Sequence, residues 1–174
     1  MKILTIANRK GGAGKSTCAA HLAIEANKQG LKTILVDMDP QKTLETWWQG
    51  RAANDISLLE VSSTELSEKL QILATKGFDL CIIDTPGDVS ENALAGISVA
   101  DIVLIPSKPT APDLSAIGRT INIVEKHKKK FVFVITQALS NSKSSLQASS
   151  ALSGFGAVAP SAISNRVSYQ RAMG

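Results

Sequence analysis

The chain has 174 residues, 44% of them hydrophobic but only 4% aromatic, and carries a formal net charge of +4. That size and content suit one compact domain with an aliphatic core, and no run of about twenty apolar residues offers a membrane span or a signal peptide. The charge is mildly basic and by itself no nucleic-acid signature, and the two cysteines, Cys18 and Cys81, read as small core residues of a protein in a reducing cytoplasm.

Apolar runs alternate with helical patterns from end to end, the sequence form of repeated βαβ units. The pattern predicts strands over 2–7 and 32–37, with a helix over 16–28 between them that closes at Gly30. A helix through Leu44, Trp47 and Trp48 follows, then a short strand over 57–61. Ser63 or Thr64 can cap a helix running to Thr75, with Gly77 ending it. A strand over 79–84, a helix over 91–99 and a strand over 102–106 come next. The remainder reads as a helix over 113–127, a strand over 131–136, a weaker serine-rich helix over 144–152 and an edge strand over 157–163 with Pro160 inside it.

Between the first strand and the first helix lies Asn8-Arg9-Lys10-Gly11-Gly12-Ala13-Gly14-Lys15-Ser16-Thr17. Glycines in that setting let backbone N–H groups close around a polyphosphate, and the helix N-terminus adds partial positive charge. Lys15 is placed to reach the β- and γ-phosphates, and the Ser16 hydroxyl to ligate Mg²⁺. Arg9 stands where the strict loop pattern has glycine. K-G-G-x-G-K-S resembles the deviant phosphate-binding loop of the ParA/MinD ATPases. The resemblance implies that Lys10 is a signature residue that crosses the interface of an ATP-sandwich dimer to the partner's phosphates. It also implies nucleotide contacts from Lys10, Gly11, Gly12, Ala13, Gly14, Lys15, Ser16 and Thr17, and a three-layer P-loop NTPase fold, α/β, with a mostly parallel twisted sheet flanked by helices.

Two acidic strand ends extend the likeness. Asp37-Met38-Asp39-Pro40-Gln41 resembles the D-x-D-P-Q segment of ParA proteins, which implies that Asp39 orients the attacking water and that Asp37 lies near the metal. Read without the family, Asp and Pro after a strand are ordinary turn chemistry. Phe78-Asp79-Leu80-Cys81-Ile82-Ile83-Asp84-Thr85-Pro86-Gly87 is an apolar strand ending in an acid, so Asp84 is expected to hold Mg²⁺ through water, before a loop that senses the γ-phosphate. Lys10, Lys15 and Asp39 are thus the catalytic candidates, and Ser16, Asp37 and Asp84 the metal candidates.

The loop Ile105-Pro106-Ser107-Lys108-Pro109-Thr110-Ala111-Pro112-Asp113 resembles the proline-rich loop of small, ParF-like ParA proteins, which implies a place for Pro109 in the nucleotide pocket or dimer contact; its plainer reading is a rigid helix start. Gln137, after the 131–136 strand, is a candidate base contact. Trp47 and Trp48 cannot both face fully inward from adjacent helix positions. Lys126-His127-Lys128-Lys129-Lys130 reads as a helix C-terminus complementing the dipole, with DNA contact the minority reading. Arg166 and Arg171 are equally readable as DNA contacts or surface ions. The segment 166–174 resembles the start of one that continues into a final helix in the family, so a single ATPase domain, 1–174, lacking that helix is expected.

The resemblance implies a Mg²⁺-dependent ATPase of plasmid or chromosome partition. It dimerises when ATP-bound, binds DNA nonspecifically, and hydrolyses slowly until a centromere-binding ParB-type or ParG-type protein stimulates it. Its expected place is the cytoplasm, on the nucleoid when ATP-bound, without membrane contact. A MinD-like positioning ATPase and a metabolic ligase of the dethiobiotin-synthetase type are the alternatives. The sequence offers no carboxylate- or amine-binding substrate constellation for the latter.

Overall fold

Leucine- and β-branched-rich runs of up to six residues, each closed by a polar or glycine-containing turn, become the strands of one sheet in the computed structural model, which describes residues 1–139, 143–166, 169 and 173. In chain order the elements are β1 (Lys2–Ile6), α1 (Lys15–Lys28), β2 (Thr33–Asp37), α2 (Thr43–Gln49), β3 (Ser57–Glu60), α3 (Leu66–Thr75) and β4 (Leu80–Asp84). They continue as α4 (Glu91–Val99), β5 (Ile102–Ser107), α5 (Ala111–Lys126), β6 (Lys130–Ile135), α6 (Lys143–Ser153) and β7 (Ala157–Val158). The strands lie in the order β3-β2-β4-β1-β5-β6-β7, and every neighbouring pair is parallel. From β1 the chain builds one side through β2 and β3, returns with β4 between β2 and β1, and then extends the other side through β5, β6 and β7. Ligands of such sheets sit at the carboxyl ends of the strands, where the order reverses.

Strand periodicity sorts the core into two faces. Ile6, Leu35, Ile82, Leu104 and Val134 meet Cys18, Ala19, Ala20 and Ala23 of α1 and Leu44 and Trp47 of α2. The intervening Ile34, Val36, Cys81 and Ile83 meet Leu66, Leu70 and Leu73 of α3. On that same face Val103, Ile105, Phe133 and Ile135 pack on α5 through Ile117, Ile121 and Val124 and on α6 through Ala148 and Leu152. The result is the expected three layers. Cys18 and Cys81 are free and buried, and burial pushes both thiols up to about 12, so neither is a reactive group.

Three local expectations need correction. β7 is only two residues long: pairing stops short of Pro160, which lacks the N–H a strand interior needs, although Ala138 bridges Ser164 further on. α3 is capped by neither Ser63 nor Thr64; a turn over Ser62–Glu65 leads into it, with the Ser62 hydroxyl donating to the Glu65 carboxylate (2.6 Å). The tryptophans divide the work: Trp47 is buried in the core, while half-buried Trp48 donates its indole N–H to the Ile56 carbonyl (2.7 Å).

α4 approaches the sheet closely because residue 96 is glycine. The Thr5 hydroxyl donates to the Gly96 carbonyl (2.7 Å), and a methyl on Gly96 would lie 2.9 Å from Thr85 Cγ2. Gly96→Ala is expected to destabilise the domain by about 1–3 kcal/mol through this overpacking. A thermal midpoint equal to that of the unsubstituted protein would mean that α4 slides away at no cost.

Candidate functional site

The loop after β1 is shaped by its own backbone and by the neighbouring strand ends. Asn8 donates its amide to the Pro106 carbonyl (2.6 Å) and accepts the Lys10 N–H (2.9 Å), which turns the chain sharply out of β1. Gly12 (φ 69°) and Gly14 (φ 93°) occupy left-handed conformations that disfavour side chains. The Thr136 hydroxyl donates to the Ala13 carbonyl (2.7 Å), and the Gln137 amide to the Gly12 carbonyl (3.0 Å). With these carbonyls held back, the loop N–H groups are free to face inward, and α1 starts at Lys15 without a side-chain cap, as an anion site requires.

A cavity of about 600 Å³ opens over this loop, lined by Gly11, Lys15, Ser16, Asp39, Gly87 and Gln137 among others. Beside it lies a smaller space of about 170 Å³ between Thr17, Thr136, Gln137, Arg166 and Tyr169. The larger space has the size and polarity for a polyphosphate, and the smaller adjoins it as a nucleoside would. Gly87 closes over Lys15: a methyl there would lie 3.3 Å from the Lys15 ammonium.

Parallel pairing brings the two acidic strand ends together, with Asp37 opposite Asp84 and Ile6 opposite Asp84 across β2, β4 and β1. Asp84 is fully buried, and among the described residues neither carboxylate oxygen has a partner at hydrogen-bond geometry, although the Ser16 hydroxyl is near enough to act on it. Burial pushes it up to about 7; the Ser16 hydroxyl and the Lys15 charge act downward, while the Asp37 and Asp39 charges add to the rise. Two orphaned buried oxygens facing a serine hydroxyl are a donor set that Mg²⁺ satisfies, because magnesium takes hard oxygens and keeps several waters. Asp37 has a different occupation. Its two oxygens accept the N–H groups of Asp39 and Glu45, both at 3.0 Å, fixing the loop that presents Asp39. Burial raises its pKa despite those two bonds. Asp39 accepts the Gln41 N–H (3.0 Å) and faces the cavity.

Lys10 stands apart from this cluster. Its ammonium lies 2.8 Å from Asp113 Oδ2, at the start of α5, and it does not line the cavity. Asp113 is buried, takes a hydrogen bond from the Thr110 hydroxyl on the same oxygen, and leaves Oδ1 without a partner. Pro109 also lies outside both spaces, whereas Lys108 brings its ammonium over Gly12, 3.5 Å from where a methyl would stand. The Arg9 main-chain N–H donates to the Thr120 hydroxyl of α5 (3.3 Å). Arg166 lines the smaller space, a position that neither of its sequence readings contained. Arg171 lies outside the described residues. The sequence reading also missed Thr136, Asn8 and Asp113 as loop-holding groups. Only Asp113, two residues into a helix after a threonine, carried a local signal, and that signal was for a cap.

Residues 4–154 match the model of the CobQ/CobB/MinD/ParA nucleotide binding domain. Among curated proteins, the chain is 34% identical over 125 residues to the maintenance of carboxysome distribution protein A of Gloeobacter kilaueensis, covering 70% of this chain and 56% of that one. It is 30% identical over 134 residues to protein ParA of Rhizobium radiobacter, covering 74% and 59%. The chain thus spans less than two thirds of the length of these relatives. Among solved structures, an ATP complex of a Cyanothece McdA variant superimposes with a TM-score of 0.81 at 24% identity, over 99% of this chain and 86% of that one, a likeness of fold. The chain belongs to the CobQ/CobB/MinD/ParA family of nucleotide-binding domains, and among its members it is similar to the McdA and ParA proteins.

Proposed function

We propose that this domain is a Mg²⁺-dependent ATPase that dimerises around ATP, binds DNA nonspecifically in that state and positions a cargo such as a plasmid or chromosome. The observation that carries the reading is the pairing of a signature lysine, Lys10, with a loop whose Lys15, Ser16 and buried, unpartnered Asp84 converge on one polar cavity. Ser16 and Asp84 are the residues to hold Mg²⁺, which supplies charge neutralisation for the transferring phosphoryl group when bound. Lys15 and the N–H groups of residues 11–17 bind and orient the phosphates, and Thr17, Gln137 and Arg166 flank the nucleoside. Asp39 is held by Asp37 at the mouth of the cavity, where it accepts a hydrogen bond from the attacking water and orients it. Arg9, the one arginine of the loop, is not among the residues lining the cavity, which fits slow intrinsic turnover that a ParB-type or ParG-type partner stimulates.

One relative is named for carboxysome distribution and one solved neighbour, from Borrelia burgdorferi, for plasmid partition, which gives two candidate cargoes. The ATP-driven cycle is common to both, and it is what an experiment can reach first. Asp39→Ala is expected to reduce turnover by about 10²–10³-fold while nucleotide affinity changes by less than about threefold. Light scattering with ATP should then show a persistent dimer, and duplex DNA should co-sediment with it in a salt-sensitive way. A variant that hydrolyses normally removes Asp39 from the mechanism. A monomer at saturating ATP removes the sandwich reading altogether.

A further inference from the structure

In the proline-rich loop after β5, Pro109 lies outside both spaces but fixes the residue before it, because proline drives its predecessor to extended backbone. That residue is Lys108, whose carbonyl accepts the hydroxyl of buried Ser107 (3.2 Å). Since β5 pairs with β1, the loops that follow the two strands leave the sheet side by side. The Asn8 amide ties them at the Pro106 carbonyl (2.6 Å), and the Thr136 N–H holds the Ser107 carbonyl from β6 (2.8 Å). The backbone that carries Lys108 is therefore fixed relative to the phosphate loop.

The side chain runs back over that loop. Its ammonium lies 3.5 Å from where a Gly12 methyl would stand, which puts it within about 5 Å of the Gly12 backbone. Lys15 approaches the preceding residue: its ammonium is 3.3 Å from the site of a Gly87 methyl, and the Gly11 nitrogen is 3.5 Å from the same point. Two ammonium groups thus converge on the Gly11–Gly12 step. Lys15 is buried, Lys108 is half-buried, and neither has an ion-pair or hydrogen-bond partner among the described residues. The one carboxylate within 105–113, Asp113, is taken by Lys10. Like charges gathered without a counterion repel one another, and an anion between them relieves the cost. Gly14, Thr17 and Gln137 line both spaces, whereas Gly11 and Gly12 line only the larger, together with Asp39 and Gly87. The Gly11–Gly12 step is therefore on the side of the loop away from the nucleoside, where the last phosphate of a triphosphate belongs.

We infer that Lys108 is a second phosphate-binding lysine of this site, acting within its own subunit on the terminal phosphate and separating ATP from ADP before a partner subunit arrives. The inference rests on the nucleotide site proposed above and adds a residue to it. Lys108 differs from Lys10 in where it serves: Asp113 holds Lys10 outside the cavity, while Lys108 already stands over the loop in the single subunit. A charge-assisted contact from a pre-set backbone adds affinity with little backbone ordering to lose. ADP has no group at that position, so only the triphosphate gains.

Calorimetric titration in Mg²⁺ with AMPPNP, a non-hydrolysable ATP analogue, and with ADP tests this. Lys108→Met keeps the stem that covers Gly12 and removes the charge. AMPPNP affinity is expected to fall about 10–100-fold and ADP affinity by less than about threefold, with most of the loss recovered in Lys108→Arg. A lysine that only supports the loop would move both nucleotides together, and the retained ADP affinity shows that the variant is folded. Lys10→Ala removes the contact expected across a dimer, and adding Lys108→Met to it should produce the same selective loss. An unchanged ratio of AMPPNP to ADP affinity in Lys108→Met overturns the inference. So does an effect that disappears in the Lys10→Ala background, since Lys108 would then act through the second subunit. Failure of the underlying nucleotide reading looks different and takes the inference with it: the unsubstituted protein then binds neither nucleotide, and Lys15→Met changes nothing.

Discussion

Asp84→Asn is expected to make the nucleotide-free protein more stable and at the same time blind to Mg²⁺. The carboxyl group is fully buried, has no partner at hydrogen-bond geometry among the described residues, and is pushed from 3.8 to about 7, first by burial. A raised acid pKa in the folded state means that the folded protein holds a proton that the unfolded chain releases above about pH 4. Stability from this group is therefore complete below about pH 4 and is lost as pH rises to about 7, beyond which the loss is constant. The shift corresponds to a penalty on the order of 2–4 kcal/mol at neutral to alkaline pH. Asparagine keeps the shape and removes the charge, so its advantage should grow across that interval and disappear in acid. On the proposed reading, the penalty persists in the native chain because the orphaned oxygens serve to hold the metal. Adding Mg²⁺ and nucleotide at about 100 times the dissociation constant should raise wild-type stability by about 2.7 kcal/mol, and the Mg²⁺-dependent part should vanish in the variant. Urea melts at several pH values, with and without Mg²⁺-nucleotide, measure both effects. A variant less stable than wild type above pH 7 would mean that Asp84 is ion-paired in solution.

Most of this site was legible because it lies in contiguous motifs at strand ends. Residues 8–17, Asp37, Asp39 and Asp84 sit where an apolar run meets a polar turn, and parallel register then brings them together. What remained hidden depends on contacts across the chain. Thr136 holds the Ala13 carbonyl from 123 positions away, and Lys10 meets Asp113 across 103. No local periodicity announces such pairs. The division of labour between Asp37 and Asp84 was likewise invisible: both end a strand, and only the backbone N–H groups of Asp39 and Glu45 show that one carboxylate shapes a loop while the other is left open. The 126–130 run sits where the sequence put it, at the C-terminal end of α5; the left-handed turn at Lys128 and the main-chain bonds that end the helix there were not legible in it.

Asp113→Asn is expected to let the subunits associate at ATP or protein concentrations roughly 5–30-fold lower than wild type, the range that 1–2 kcal/mol of released pairing gives. The reasoning starts from where Lys10 is. If it reaches across a dimer interface, it must first leave Asp113, a buried carboxylate 2.8 Å away that has one further bond, from Thr110. Lys10 is 36% exposed, so water screens the pair and limits its worth to about 1–2 kcal/mol rather than the larger values of fully buried pairs. Lys10→Ala should therefore lose about that much folding stability, because it strands the Asp113 charge, and should also lose ATP-dependent dimerisation. Combining it with Asp113→Asn should restore stability but not dimerisation. The two readouts come apart because the pair stabilises the monomer, whereas only the lysine serves the dimer; a double-mutant cycle on urea melts and light scattering resolves them. Weaker dimerisation in Asp113→Asn would reverse the assignment, with Asp113 then holding Lys10 in the posture it uses against the partner's phosphates.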